Sequence, residues 1–217
     1  MNREGVKKLL ADRAWDEIAR LAVIDRRVLR VLLSLLYDAD DYCHWLAVEA
    51  IGRVGGATAA VNPEKTRELV RRLLWTLNDE SGGTPWGATG AIGAIVAVRP
   101  DIFGHYLSMI CPFHDDPNIY PELIWSLARV ATGRPELAGE YRPFLLEALG
   151  HADATVRGYA AWCLGILGAP AAGPALAAMA GDAAPVAIYE GDGVYRRLTV
   201  GEVAAASLAR LSVSGRS

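Results

Sequence analysis

One four-residue pattern recurs along this chain and limits what it can fold into. A branched apolar residue is followed by Gly or Ala, any residue, and a second branched apolar residue. It appears as Ile51-Gly52-Arg53-Val54, Ile92-Gly93-Ala94-Ile95, Leu127-Ala128-Arg129-Val130, Leu164-Gly165-Ile166-Leu167 and Leu208-Ala209-Arg210-Leu211. The small residues of successive anchors are 41, 35, 37 and 44 positions apart. A period of that size corresponds to one helix pair per unit, and such pairs bury their apolar faces by stacking on their neighbours. The small residue has a steric reason. Packed helices run roughly 8–10 Å apart, and a large side chain at the crossing would hold them further away.

The clearest unit is residues 153–168, DATVRGYAAWCLGILG. It opens with Asp153 and closes with Gly168. Val156, Ala160, Ala161, Leu164 and Leu167 recur at helical spacing and form one apolar face. The pattern V-R-x-x-A-A-x-x-L-G-x-L-G at 156–168 resembles HEAT-like repeats of the bilin-lyase (PBS lyase) type. Elsewhere the match loosens: Cys43-His44, Thr84-Pro85 and Ile119-Tyr120 stand where Val-Arg would be. The resemblance implies an all-α superhelix, a HEAT-like solenoid of about five helix pairs. The repeat family includes lyases, chaperones and scaffolds, so it implies a fold more than an activity.

The spacing predicts a single domain over 1–217. Helices at 3–12 and 14–23 cap its N-terminal end (1–24), and the repeats occupy 25–56, 63–98, 100–132, 135–168 and 170–211. Outer helices are expected at 26–37, 63–77, 100–111, 135–149 and 170–181, and inner helices at 42–54, 85–97, 120–132, 153–168 and 200–211. Asp38-Ala-Asp40-Asp41 provides an N-cap, and Asn62-Pro63 pairs a capping side chain with Pro at the first helical position. Ser81-Gly-Gly-Thr84-Pro85 is a loop that opens the second inner helix. Residues 186–198 break the pattern: two β-prone runs flank Glu190-Gly-Asp-Gly193, which predicts a β-hairpin inserted as a cap or contact element. Thr199 and Glu202 then form a capping box.

The net charge of −3 argues against phosphate-dominated nucleic-acid binding. Lys65, Arg67, Arg71 and Arg72 form a cationic group on the 63–77 helix, read as a solvated outer face beside Glu64 and Glu68. Three widely spaced cysteines, Cys43, Cys111 and Cys163, point to a reducing, cytoplasmic setting. Cys111, His114, Asp115 and Asp116 lack a second half-site and predict a loop, not a metal centre. No apolar run reaches membrane-spanning length and no signal-peptide core opens the chain. No metal or cofactor is expected.

Transferring the phase of the 153–168 helix through the anchors gives one outward position set per repeat. It contains Glu49 and Arg53; Gly87 and Gly90; Glu122, Trp125 and Arg129; Tyr159 and Trp162; and Arg210, with Trp45 and Trp86 at the flank. In helix-pair solenoids the second helices line the concave side. The expectation is therefore a groove with an aromatic floor, a hollow at Gly87 and Gly90, and charged rims. The competing expectation is that these Trp side chains pack between inner helices and meet no ligand.

Three functions follow. The first is a non-catalytic scaffold that holds a protein or peptide partner, or a second copy of the chain, in that groove. The second, implied by the resemblance, is a bilin-lyase-like ligand handler or chaperone that clasps a planar tetrapyrrole. The third and remotest is a HEAT-like DNA glycosylase using Glu49 or Glu122. Phosphate loops, G-x-S-x-G, H-E-x-x-H and paired C-x-x-C are all missing, so no residue is assigned a catalytic role.

Overall fold

The computed structural model of the protein describes residues 1–77 and 86–214; the predicted loop at 81–85 lies outside them. The described residues are all-α apart from one hairpin, in successive helix pairs. Its residues group into two compact units, 1–123 with 191–194, and 124–190 with 195–217. No helix among the described residues is long and apolar enough to cross a membrane.

The first unit holds α1 (Arg3–Ala11), α2 (Trp15–Ile24), α3 (Arg26–Leu35), α4 (Asp41–Val61), α5 (Pro63–Leu77), α6 (Ala88–Val98), α7 (Pro100–Phe103), α8 (Tyr106–Ile110) and the first turn of α9 (Tyr120–Gly133). Side-chain caps fix the starts. Asp25 accepts from the Arg27 N–H, Asp40 from that of Tyr42, and Asn62 from that of Glu64. Each satisfies an amide that the first helical turn leaves without a partner. Helix α4 continues past the predicted end at 54, through Gly55 and Gly56, to Val61. The two glycines do not break it because the packing uses them: a Cβ at Gly55 would lie 2.8 Å from Ile95 Cγ1, and one at Gly56 would overlap Val98 Cγ1.

The second unit contains the rest of α9, then α10 (Pro135–Gly139), α11 (Arg142–Ala148), α12 (Ala154–Ile166), α13 (Gly173–Ala178), β1 (Pro185–Gly191) as far as Glu190, β2 (Val194–Thr199) from Tyr195, and α14 (Val200–Ser214); the hairpin tip, 191–194, groups with the first unit. The outer helix expected at 135–149 is two pieces. Pro143 enters at the start of α11, where its ring excludes the carbonyl four residues back from a continuous helix. The outer helix expected from Pro100 divides likewise into α7 and α8, and that at 170–181 shortens to α13 between two 3-10 turns. Thr199 and Glu202 make the reciprocal capping box: Thr199 N–H donates to the Glu202 carboxylate at 2.7 Å, and Glu202 N–H to Thr199 Oγ1 at 3.2 Å.

The two strands form one antiparallel hairpin around Asp192-Gly193, whose φ values of +51° and +74° are those a two-residue type I′ turn needs. Helix α12 is buried almost all round, with Tyr159 and Trp162 as enclosed as Ala160 and Leu164.

Candidate functional site

The expected groove aromatics are core residues. Trp125 is fully buried, and its indole N–H donates to the Tyr189 carbonyl at 2.7 Å. Strand β1 explains this. Val186 packs where a Cβ on Gly158 would fall, 2.8 Å away, and the Arg129 guanidinium donates to the Glu190 carbonyl at 2.9 Å while lying 5.8 Å from the Trp125 ring centre. The hairpin thus lies across the face of α9 and α12 that helical phase alone leaves open. Tyr159 and Trp162 are buried with ring centres 6.2 Å apart. Trp125, Tyr159 and Trp162 are corrected from surface anchors to packing residues, which removes the planar slot a tetrapyrrole would need between Trp125 and Trp162.

In the first unit the predicted hollow at Gly87 and Gly90 is filled by the Glu122 carboxylate. It accepts the Gly87 N–H at 2.8 Å and the Gly90 N–H at 3.0 Å, capping α6 from a remote part of the chain. His44 Nε2 stands 3.6 Å from it, and the other ring nitrogen is 2.8 Å from the Leu36 carbonyl. Burial pushes the Glu122 carboxyl up, outweighing the opposing pull of His44 and the two amides. Glu49 is buried against Arg53 at 3.0 Å, and Arg53 also pairs with Asp192 at the hairpin tip. Both carboxylates are engaged in the interior, not presented to a nucleic acid. The flank residues part ways: Trp45 is buried with its ring edge-on to His44, whereas Trp86 is half-exposed. Arg210 lies exposed on α14. Burial raises the thiols of Cys43 and Cys163, which leaves little thiolate for nucleophilic work.

An open concavity lies elsewhere in the first unit. A cleft of about 550 Å³ lies between α3 and α5 over the C-terminal part of α4. Helix α3 contributes Arg26, Leu29, Arg30 and Leu33, and α5 contributes Lys65, Glu68, Leu69 and Arg72; both sets have the i, i+3, i+4, i+7 spacing of one helical face. Val54, Thr58 and Val61 of α4 make the floor, with Ala22 and Val23 of α2 at one side. Val61 is 80% exposed and Val23 46%, so the apolar lining is open to water.

The cations divide by position. Arg27 pairs with Asp25, and Arg67 and Arg71 both pair with Glu64. Arg26, Arg30, Lys65 and Arg72 line the cleft, and none makes an ion pair among the described residues. Charge pattern alone groups Lys65 and Arg72 with Arg67 and Arg71 as one solvated face and gives Arg26 and Arg30 no role. A signal was present. Residues 26–36 carry more apolar side chains than one helix face can bury: Val28, Leu32 and Leu35 take the core, and Leu29 and Leu33 remain half-buried on the flank.

Comparison with known proteins bears on the repeats. The family model described as HEAT repeats matches residues 112–189. Residues 112–189 are therefore similar to HEAT repeats. The matched family is the general one, without the bilin-lyase subtype that the 156–168 pattern resembles. The chain is also similar to an uncharacterized protein of Archaeoglobus fulgidus, 28% identical over 143 residues, which is 63% of this chain and 73% of that relative. The crystal structure of an archaeal HEAT-like repeats protein from Thermococcus onnurineus NA1 aligns with 97% of this chain and 80% of its own at 15% identity, with a TM-score of 0.44. The HEAT match begins at Pro112 and so leaves out the helices that line the α3–α5 cleft.

Proposed function

We propose that this HEAT-like repeat chain is a non-catalytic polypeptide-binding scaffold and that its docking surface is the α3–α5 cleft. The observation that carries this reading is the cleft itself: two helical walls with matched stripes and a solvent-open apolar floor. A concave apolar strip with a few placed polar groups is how a protein takes up a short segment of another. The inner-helix face of the second unit supports no such role, because β1 occupies it.

Panning a random peptide library against the wild-type chain tests the reading. The comparison is a double variant, Leu29→Ser with Leu69→Ser, which makes the walls polar without changing charge. Both side chains are half-buried, so circular dichroism is expected to show an unchanged fold. Selected peptides should bind wild type and lose at least about tenfold in affinity, about 1.4 kcal/mol, on the variant. An empty selection, or equal binding to both proteins, refutes the cleft as a docking surface.

A further inference from the structure

We infer that the segment this cleft receives is an acidic amphipathic α-helix, one apolar stripe flanked on both sides by Asp or Glu. The inference rests on the polypeptide-binding reading and adds to it the partner's chemistry and conformation.

The shape argument starts from the walls. Residues 26–33 of α3 and 65–72 of α5 each line the cleft for two turns, roughly 10 Å at 1.5 Å per residue. The groove between two helices fits the ridge of a third, whose apolar residues at i, i+3, i+4 and i+7 enter in sequence. Leu29 and Leu33 on one side and Leu69 on the other are the surfaces such a ridge would meet. The exposed Val61 extends the apolar floor along α4.

The charge argument is independent of the shape. Arg26 and Arg30 rim one wall and Lys65 and Arg72 the other, with Glu68 as the one acid in the lining. That is a local excess of three positive charges on a chain whose net charge is −3. The neighbouring cations on the same two helices are answered by Asp25 and Glu64. Those of the rims face one another across an apolar strip. Carboxylates flanking a partner's apolar stripe would answer both rims at once, and such rim complementarity chiefly steers encounter and selects the partner. A neutral helix would leave the rims unanswered and a basic one would be repelled. Nucleic acid would satisfy the cations, but its phosphate backbone has nothing to place on leucine and valine.

Synthetic helical peptides of about 18 residues, roughly five turns, provide the test. All carry leucine at i, i+3, i+4 and i+7, and their flanks are Glu, Gln or Lys. Fluorescence anisotropy reads binding to the whole chain, and circular dichroism reads helix gained by the peptide. The Glu peptide is expected to bind at least about tenfold more tightly than the Gln peptide, to gain helix on binding, and to weaken steeply as salt rises. The Lys peptide should not bind. The protein variant Arg26→Glu with Arg72→Glu changes two exposed residues and should reverse the preference, losing the Glu peptide and gaining the Lys peptide.

Equal binding of Glu and Gln peptides, both lost in the Leu29→Ser/Leu69→Ser variant, would overturn the acidic partner while keeping the polypeptide-binding reading. Cleft-dependent library peptides that lack acidic flanks would do the same. Failure of every peptide, designed and selected, removes both. Binding of phosphatidylglycerol vesicles or of a DNA duplex that Arg26→Glu/Arg72→Glu abolishes, with no peptide bound, would assign the cations to phosphate and overturn the inference.

Discussion

At the scale of single residues, the interior of this protein is specified by polar contacts as much as by apolar burial. The Trp125 indole is buried and donates to a carbonyl of β1 at 2.7 Å. Trp125→Phe keeps a ring but removes that hydrogen bond, a net loss of about 0.5–1.5 kcal/mol. The expected result is a lower urea midpoint at an unchanged slope. Glu122 makes a pH-dependent contribution. Its folded-state carboxyl is raised by burial, so the folded chain holds the proton to higher pH than the unfolded chain does. The stability this supplies is fully present below the ordinary Glu range and is lost as pH rises through the folded value. Glu122→Gln cannot titrate, so wild type should lose stability relative to the variant as pH rises over that interval. Urea titrations at a series of pH values would read this, and parallel curves would contradict it. Glu122 appeared in the sequence as an outward carboxylate beside a small-residue hollow. Its use as a cap for α6 was illegible, because Gly87 lies 35 residues away in sequence.

At the scale of elements, two small residues of the repeated anchor, Gly52 and Gly165, sit at close helix crossings as their spacing implied, whereas Ala209 of the last anchor is exposed. A Cβ on Gly52 would stand 2.8 Å from Ala94 Cβ and 2.9 Å from the Ala94 carbonyl, at the crossing of α4 and α6. On Gly165 it would stand 2.6 Å from Ser207 Cβ, at the crossing of α12 and α14. Gly52→Ala gains about 1 kcal/mol of helix propensity but overpacks a backbone contact, which costs about 1–3 kcal/mol. Thermal melts should show net destabilisation. Gly133→Ala is the control, because nothing lies within 4 Å of its Cβ position; its melting temperature should hold or rise. Element boundaries were less legible. Gly55-Gly56 looks like a stop and lies inside α4, whereas Pro143 divides an outer helix whose apolar pattern runs on through it. Local propensity yields to packing in the first case and not in the second, because a glycine costs a helix far less than an interior proline.

At the scale of the whole molecule, the hairpin decides which surfaces are available. Strand β1 covers Gly158 and contacts Trp125 and Arg129. Replacing residues 187–197 by a short Gly-Ser linker should uncover that apolar face, seen as binding of a hydrophobic dye and a red shift of tryptophan emission; a chain with neither change would show that β1 is dispensable to the core. The sequence by itself determined the inner helices and their period, the small residues at the crossings of α4 with α6 and α12 with α14, the caps at Asp40 and Asn62, and the hairpin with its capping box. All of these rest on interactions within one element or on a pattern that repeats. Only the tertiary structure decided that the hairpin covers Trp125 and Gly158, that Glu122 fills the hollow, and that the cleft lies between α3 and α5. Those outcomes depend on where one element docks on another, and neither helical phase nor composition encodes a docking position: an amphipathic stripe says that a face must be covered and leaves open what covers it.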